Sequence, residues 1–412
     1  MSSDIVGATW AGTHVFRAQR LAAPRTIQEA AELVASHDRI RALGTRHSFN
    51  DLADGETLIS MLDIDPAFDL DETLAQVTVG AGTRYGVLAA WLHERGWALK
   101  NMGSLPHISV GGANATATHG SGNRNGVLAT SVAAIEIITA SGEIRRIARG
   151  DDGFGGSVVS LGALGVAARI TLDVVPAFDM RQDVFLGVPW EAVLEHLDEV
   201  TGCGYSVSVF TTWDEPNLTR VLVKSRIDDG APEELFGVRA ARPAAPEPLD
   251  NRTPQGGAPG PWLERLPHFR LDRVPSNGDE IQSEYFVDRA HGSAAIVAVR
   301  ELAADIAPCL ITTELRTTAS DELWLSMAHG RDSLGIHFTW RNMPVEVHAL
   351  LPRIEAALAP FDARPHWGKV HAMWADRITG LYPRMADFLA LRDRMDPARK
   401  FDNAHLRRVL GP

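Results

Sequence analysis

From Asn101 to Asn123 the chain runs 23 residues without an Asp, Glu, Lys or Arg. Gly, Ala, Ser, Thr and His make this stretch too polar to cross a lipid bilayer. It also carries too little charge to serve as a solvated loop, so something must cover it. The small side chains of Gly111, Gly112, Ala113, Ala115, Ala117 and Gly120 would let main chain approach a large flat or phosphorylated ligand. Ser109, Thr116 and Thr118 would add hydroxyls.

The chain around this stretch has 412 residues, enough for two or three domains. With 45% hydrophobic and 22% charged residues it has an ordinary globular composition. A formal charge of −12 supplies no positive face for nucleic acid or an anionic membrane. Two cysteines, Cys203 and Cys309, make neither a disulfide framework nor a four-thiolate zinc site. No cluster of metal ligands stands out, and no metal is expected. The first residues show no basic-then-apolar leader pattern, so the cytoplasm is the expected compartment and a monomer the expected state.

Thr26-Ile27-Gln28-Glu29 reads as a capping box opening a helix through about Val34. Strands are expected at 39–43 and 75–79, and a helix at 85–95 stopped by Gly96. A hairpin is expected over 132–139 and 143–147, then a strand over 166–175. The character changes near Pro176. Six prolines and three glycines between Ala241 and Pro261 mark a long surface loop within a second domain. Beyond it we expect strands at 282–286, 310–317 and 334–340 and one helix over 289–306. A final helix is expected from about Pro383 to just before Asp396. The fold class is α+β.

Three segments carry chemistry. Gly44-Thr45-Arg46-His47-Ser48-Phe49-Asn50 follows a strand, and its successive amides could form an anion-binding nest. Alone, it reads more readily as an ordinary strand-to-loop turn with a surface histidine. Gly80-Ala81-Gly82-Thr83-Arg84-Tyr85-Gly86 imitates a dinucleotide fingerprint, but its third glycine comes one place late and Lys100 stands where an acid belongs. Glu314 and Arg316 lie two apart on a strand and share a face, about 6.7 Å apart, as do His337 and Thr339. Lys369 follows in Arg364-Pro365-His366-Trp367-Gly368-Lys369. Phe338, Trp340 and Trp367 are expected to bracket these polar groups, as aromatics do around a sugar-like ligand.

These segments, in this order, resemble the alditol-oxidase group of the vanillyl-alcohol oxidase family of flavoproteins. The likeness also runs through Ser104-Leu105-Pro106-His107-Ile108-Ser109-Val110, Thr118-His119-Gly120-Ser121-Gly122, Ser160-Leu161-Gly162-Ala163-Leu164-Gly165-Val166 and Lys400-Phe401-Asp402-Asn403-Ala404. It covers nearly the whole chain. It implies an FAD-binding domain of two subdomains from residues 1–175 and 371–412, with an α+β substrate cap from 176–370. It implies FAD bound covalently through His47 and contacted by Gly44, Thr45, Arg46, Ser48, Ser104, Ser109, Gly112, Thr116, Ala117, Thr118, His119 and Val166. Substrate residues carried over are Ser104, Glu314, Arg316, Thr339 and Lys369, with Arg316, Lys369 and Glu314 catalytic. His337 is either an orienting group or a packed structural histidine.

The implied reaction oxidises the terminal hydroxyl of a polyol such as xylitol or sorbitol by hydride transfer to flavin N5. Molecular oxygen then yields hydrogen peroxide, and Gly103 leaves room for oxygen beside the flavin edge. Two other activities fit the same segments: an aldonolactone oxidoreductase of the family, and a non-catalytic carbohydrate-binding protein keeping the flavin fold.

Overall fold

Antiparallel pairing organises the middle of the chain into two large sheets. The computed structural model describes residues 6–213, 217–242, 251–276 and 278–411. Strands Asp69–Asp71, Gln76–Gly80, Val166–Asp173, Val132–Ile138 and Ile144–Ala148 form a five-stranded antiparallel sheet in that order. The hairpin turn between the last two is the expected one. A three-stranded parallel sheet joins Arg20–Ala22, Thr57–Ser60 and Arg41–Leu43, the last leading directly into Gly44.

An eight-stranded antiparallel sheet draws only on residues 179–365. Its order is Gly260–Pro261, Asp179–Phe185, Arg220–Arg226, Ser206–Thr211, Leu310–Thr318, Ser333–Arg341, Glu280–Asp288 and Arg364–Pro365. Side chains alternate across a strand, so register decides what meets on each face. One row across the sheet reads Phe210, Glu314, His337, Glu284, and the next reads Ser208, Arg316, Gly335, Phe286. The opposite face carries Leu315, Ile336, Tyr285, Phe338 and Trp340, all fully buried. Helices Gly292–Arg300 and Pro344–Leu358 contact each other, and the first also contacts the two neighbouring strands.

Local signals explain most element ends. Thr26 caps the helix Ile27–Ser36 by accepting from the Glu29 amide at 3.1 Å. The Glu29 carboxylate returns to the Arg25 amide rather than to that of Thr26. Gly96, at φ 77°, follows the helix Tyr85–His93. The single helix expected over 289–306 is instead broken into Arg289–His291, Gly292–Arg300 and Ala303–Ile306. The Leu302 amide turns back to Val299 at three-residue spacing, which tightens the chain and ends the α-helix. Met385–Met395 is not the final helix. Ala404–Leu410 follows, capped by Asn403 accepting from the Leu406 amide. Of the proline-rich loop, residues 243–250 lie outside the described residues. No helix among the described residues is long and apolar enough to cross a membrane.

Candidate active site

A cavity of about 530 Å³ is lined by residues of both large sheets, among them Ile135, Ala167, Glu314 and Thr339, and by Arg41 and Gly162. The loop Gly44–Asn50 enters it directly after the strand Arg41–Leu43. The amides of Thr45, Arg46, His47 and Ser48 donate to no acceptor among the described residues, and Arg46 holds φ at 65°. Such a run of outward amides is a nest for an anion. The Arg46 guanidinium itself turns away to the Val6 carbonyl. His47 stacks on Trp10 at 5.6 Å, and its Nδ1 lies 3.0 Å from Thr45 Oγ1, which accepts from the Ser109 amide. Burial, reinforced by His107 and Arg84, pushes the His47 imidazole down to about 4. Burial therefore keeps this imidazole neutral at physiological pH.

The uncharged stretch is covered, as its composition requires. Ser109, Gly112, Thr116, Thr118 and His119 line the cavity. Thr116 Oγ1 turns back to the Gly112 carbonyl at 3.0 Å. Ala117 is fully buried at φ 52° and does not line the cavity. Neither does the Val166 side chain, which packs under the helix Ile27–Ser36 while its neighbours Gly165 and Ala167 face the cavity. Strand alternation sends it to the other face. Gly82, from the imitation fingerprint, also lines the cavity. A Cβ there would lie 2.0 Å from the Met61 carbonyl oxygen. The unpaired amides, the neutral buried imidazole and the bare backbone at Gly82 and Gly112 all fit a large phosphorylated cofactor.

Ser104, Glu314, Arg316, Thr339 and Lys369 all line the same cavity as His47. Arg316 Nη1 donates to Ser104 Oγ at 3.2 Å. Asn50 donates to the carbonyls of Trp367 and Lys369, and the Phe49 amide to that of Gly368, so the histidine loop and the lysine loop are tied together. Gly103 lines the cavity too, and a Cβ there would meet nothing closer than 3.5 Å.

Glu284, not singled out by the sequence, is the hub of the polar row. Its carboxylate is wholly buried and accepts from Arg316 Nη2 at 3.0 Å and Lys369 Nζ at 2.6 Å. His119 Nε2 lies 3.2 Å away. Burial alone would raise this carboxyl, but Lys369, His119 and Arg316 hold it well below the usual range. Burial likewise opposes ionisation of Glu314, and Arg316 and His268 keep it ionised. His337 Nε2 meets Gln282 Oε1 at 3.1 Å, Gln282 donates to Glu280, and burial keeps His337 neutral. Gly335 makes room beneath the hub, since a Cβ there would be 3.2 Å from Glu284 Oε1 and 2.9 Å from the Phe286 ring.

Two further expectations need correction. Phe338, Trp340 and Trp367 do not bracket the polar groups. Phe338 stacks on Trp340 at 4.8 Å on the opposite face of the sheet, and Trp367 Nε1 donates to the Leu325 carbonyl in the core. Phe210 and Phe269 line the cavity instead. Potential metal ligands do come together: His119, Glu284 and His366, distant in sequence, converge within 4.8 Å, all buried. The Glu284 oxygens already accept from Arg316 and Lys369, and these two cations oppose a third positive charge. The carboxylate balances charge rather than offering a vacant ligand position.

A cradle fit for a phosphorylated cofactor along one sheet faces a donor and acceptor array on another. An FAD binding domain model matches residues 18–148, and a D-arabinono-1,4-lactone oxidase model matches 277–409. The chain belongs to the vanillyl-alcohol oxidase-type family of FAD-dependent oxidoreductases. Within it, alditol oxidase of Streptomyces sp. (strain IKD472) is 45% identical over 97% of this chain and 98% of its own. L-gulono-1,4-lactone dehydrogenase of Mycobacterium tuberculosis (strain H37Rv) is 31% identical over 99% of both chains. The crystal structure of cholesterol oxidase from B. sterolicum shares the fold, with a TM-score of 0.79 at 14% identity over 98% and 96% of the chains.

Proposed function

We propose that this chain oxidises the terminal hydroxyl of open-chain alditols such as xylitol or sorbitol to the aldose, with oxygen as acceptor and hydrogen peroxide as by-product. Bound FAD would supply the two-electron acceptor. Residues 1–175 and 371–412 would hold it and 176–370 would cap the substrate. The amides of residues 45–48 would hold its anionic part, and His47 would tether the ring covalently through the 8α-methyl. The reading places the activity in the cytoplasm.

One observation carries the choice of substrate. Glu314, Arg316 and Lys369 line the cavity that His47 also lines, with Glu284 buried behind the two cations to balance them, and such a mix of donors and acceptors suits a neutral molecule rich in hydroxyls. Arg316 and Lys369 would stabilise negative charge developing on the reacting oxygen as its proton leaves. Ser104, Thr339 and Glu314 would fix the neighbouring hydroxyls. Because Glu284 grips both cations, neither must reorganise during the reaction.

The test mixes the purified holoenzyme anaerobically with xylitol and follows the oxidised-flavin band at roughly 450 nm. Xylitol should bleach it, and admitting air should restore it with stoichiometric peroxide. The match to a lactone-oxidase model and the 31% identical lactone dehydrogenase support a second reading, an aldonolactone oxidoreductase. Bleaching by L-gulono-1,4-lactone but not by alditols would replace the first reading with the second.

A further inference from the structure

The loop that returns from the proline-rich segment does more than close the cavity. The amides of His268 and Phe269 both donate to the Ser104 carbonyl at 3.1 Å. His268 Nε2 lies 2.9 Å from Glu314 Oε1. This one dipeptide therefore positions two of the five proposed substrate groups. Behind it stands Lys224, 2% exposed in the middle of the strand Arg220–Arg226. Its ammonium donates to the Leu266 carbonyl and sits 3.5 Å from His268 Nδ1.

The chemistry of these atoms fixes the proton positions. The Glu314 carboxylate can only accept, so the His268 nitrogen facing it, Nε2, carries the hydrogen and donates it to Oε1. Nδ1 is then bare toward Lys224, whose amine burial lowers to about 7. Burial, with Lys224 adding to it, keeps the imidazole neutral by lowering it to about 4. No described residue donates to Glu314 Oε2, and the side chain keeps 7% exposure, in the cavity it lines. One carboxylate oxygen is thus occupied from behind and the other left open.

We propose that Lys224 and His268 are positioning residues that hold Glu314 as a carboxylate with one free oxygen, so that the site selects a substrate offering a hydroxyl donor there. The proposal rests on the polyol reading and sharpens it. A carbonyl or carboxylate placed at the same point has no hydrogen to give and is rejected.

The experiment has a kinetic arm and a substrate-free arm. In the first, His268→Leu should raise KM for xylitol about tenfold and leave kcat within about twofold. His268→Gln, whose amide can place an N–H near the position of Nε2, should recover most of that loss. In the second arm, ¹⁵N-histidine spectra of the holoenzyme without substrate should show His268 as the Nε2–H tautomer, assigned by its absence in His268→Gln. Lys224→Met should weaken that preference. An Nδ1–H tautomer in the parent protein would overturn the proposal, as would a His268→Leu enzyme with unchanged KM. Failure of any alditol to reduce the flavin would sink the polyol reading alone, leaving the tautomer to decide the assignment of Lys224 and His268.

Discussion

Replacing Glu284 by Gln changes one oxygen to an NH₂ group at the centre of the polar row. The carboxylate accepts two charge-assisted hydrogen bonds, at 3.0 Å from Arg316 and 2.6 Å from Lys369, with no exposure to solvent. The amide can accept from one cation, and its NH₂ then faces the other. Removing one member of such a buried pair costs about 3–5 kcal/mol, because the partner charge is left uncompensated. For a chain of this length that corresponds to a fall in Tm on the order of 5 °C. The sign for activity follows from Lys369. Burial already lowers its pKa, and Glu284 is the first group opposing that fall. Without the carboxylate, Lys369 keeps its proton only at lower pH, so the decline of saturating flavin reduction with rising pH should set in at a lower pH than in the parent enzyme. Stopped-flow reduction between pH 5.5 and 8.5, beside denaturant unfolding, measures both effects. Lys369→Met in the Glu284→Gln background should return more than about 1 kcal/mol of stability as coupling between neighbours. A variant within about 0.5 kcal/mol of the parent, the size of an ordinary surface change, and with the parent's pH profile would refute the reasoning.

His47→Ala should leave no flavin in the pellet after trichloroacetic acid precipitation, whereas the parent pellet should stay yellow. Gly82→Ala forces a Cβ to 2.0 Å from the Met61 oxygen, so the backbone must shift; a loss of about 2–3 kcal/mol and weakened FAD retention should show in unfolding and in the ratio of flavin to protein absorbance. Asp51 is bonded to His405 and Arg408, which hold it below the usual carboxylate range although burial acts the other way. Its contribution is therefore present above about pH 4 and lost as pH falls. Asp51→Asn should cost about 1–3 kcal/mol at pH 7, and the difference from the parent should begin to narrow as pH falls below about 4 in denaturant titrations.

Much of the site was legible because motif and period agree. The histidine loop, the uncharged stretch and the Glu314, Arg316 and Thr339 positions lie on short segments whose alternation alone says which residues share a face. The same rule exposes the error over Phe338 and Trp340. They alternate with His337 and Thr339, so on one strand they must point the opposite way and cannot flank them. Val166 and Ala167 repeat the lesson. Glu284 was harder to see. Its strand, Glu280–Asp288, reads as apolar around Tyr285 to Val287, and nothing local separates a hub from a surface acid. A polar Gln282 and Glu284 two apart was the available signal, but only the register against His337 and the return of Lys369 gave it meaning. His268 and Lys224 were invisible for the same reason: they meet across 44 residues, through a loop whose path composition cannot supply. The break in the helix over 289–306 reflects a local bond to Val299 that periodicity does not encode.

Arg41, the first residue of the strand that feeds the histidine loop, spends its guanidinium on carbonyls of Leu52, Leu161, Gly162 and Phe401. Asn403 adds contacts to Leu52 and Asp54. Segments 360 residues apart in sequence thus share one knot at the edge of the cofactor cradle. On the ribosome, the loop bearing His47 emerges early but cannot be locked until the segment around Phe401 and Asn403 has cleared the exit tunnel. Pigment capture should therefore be a late event in this protein's biogenesis, and a chain stopped before Phe401 should remain colourless however well its first sheet has formed.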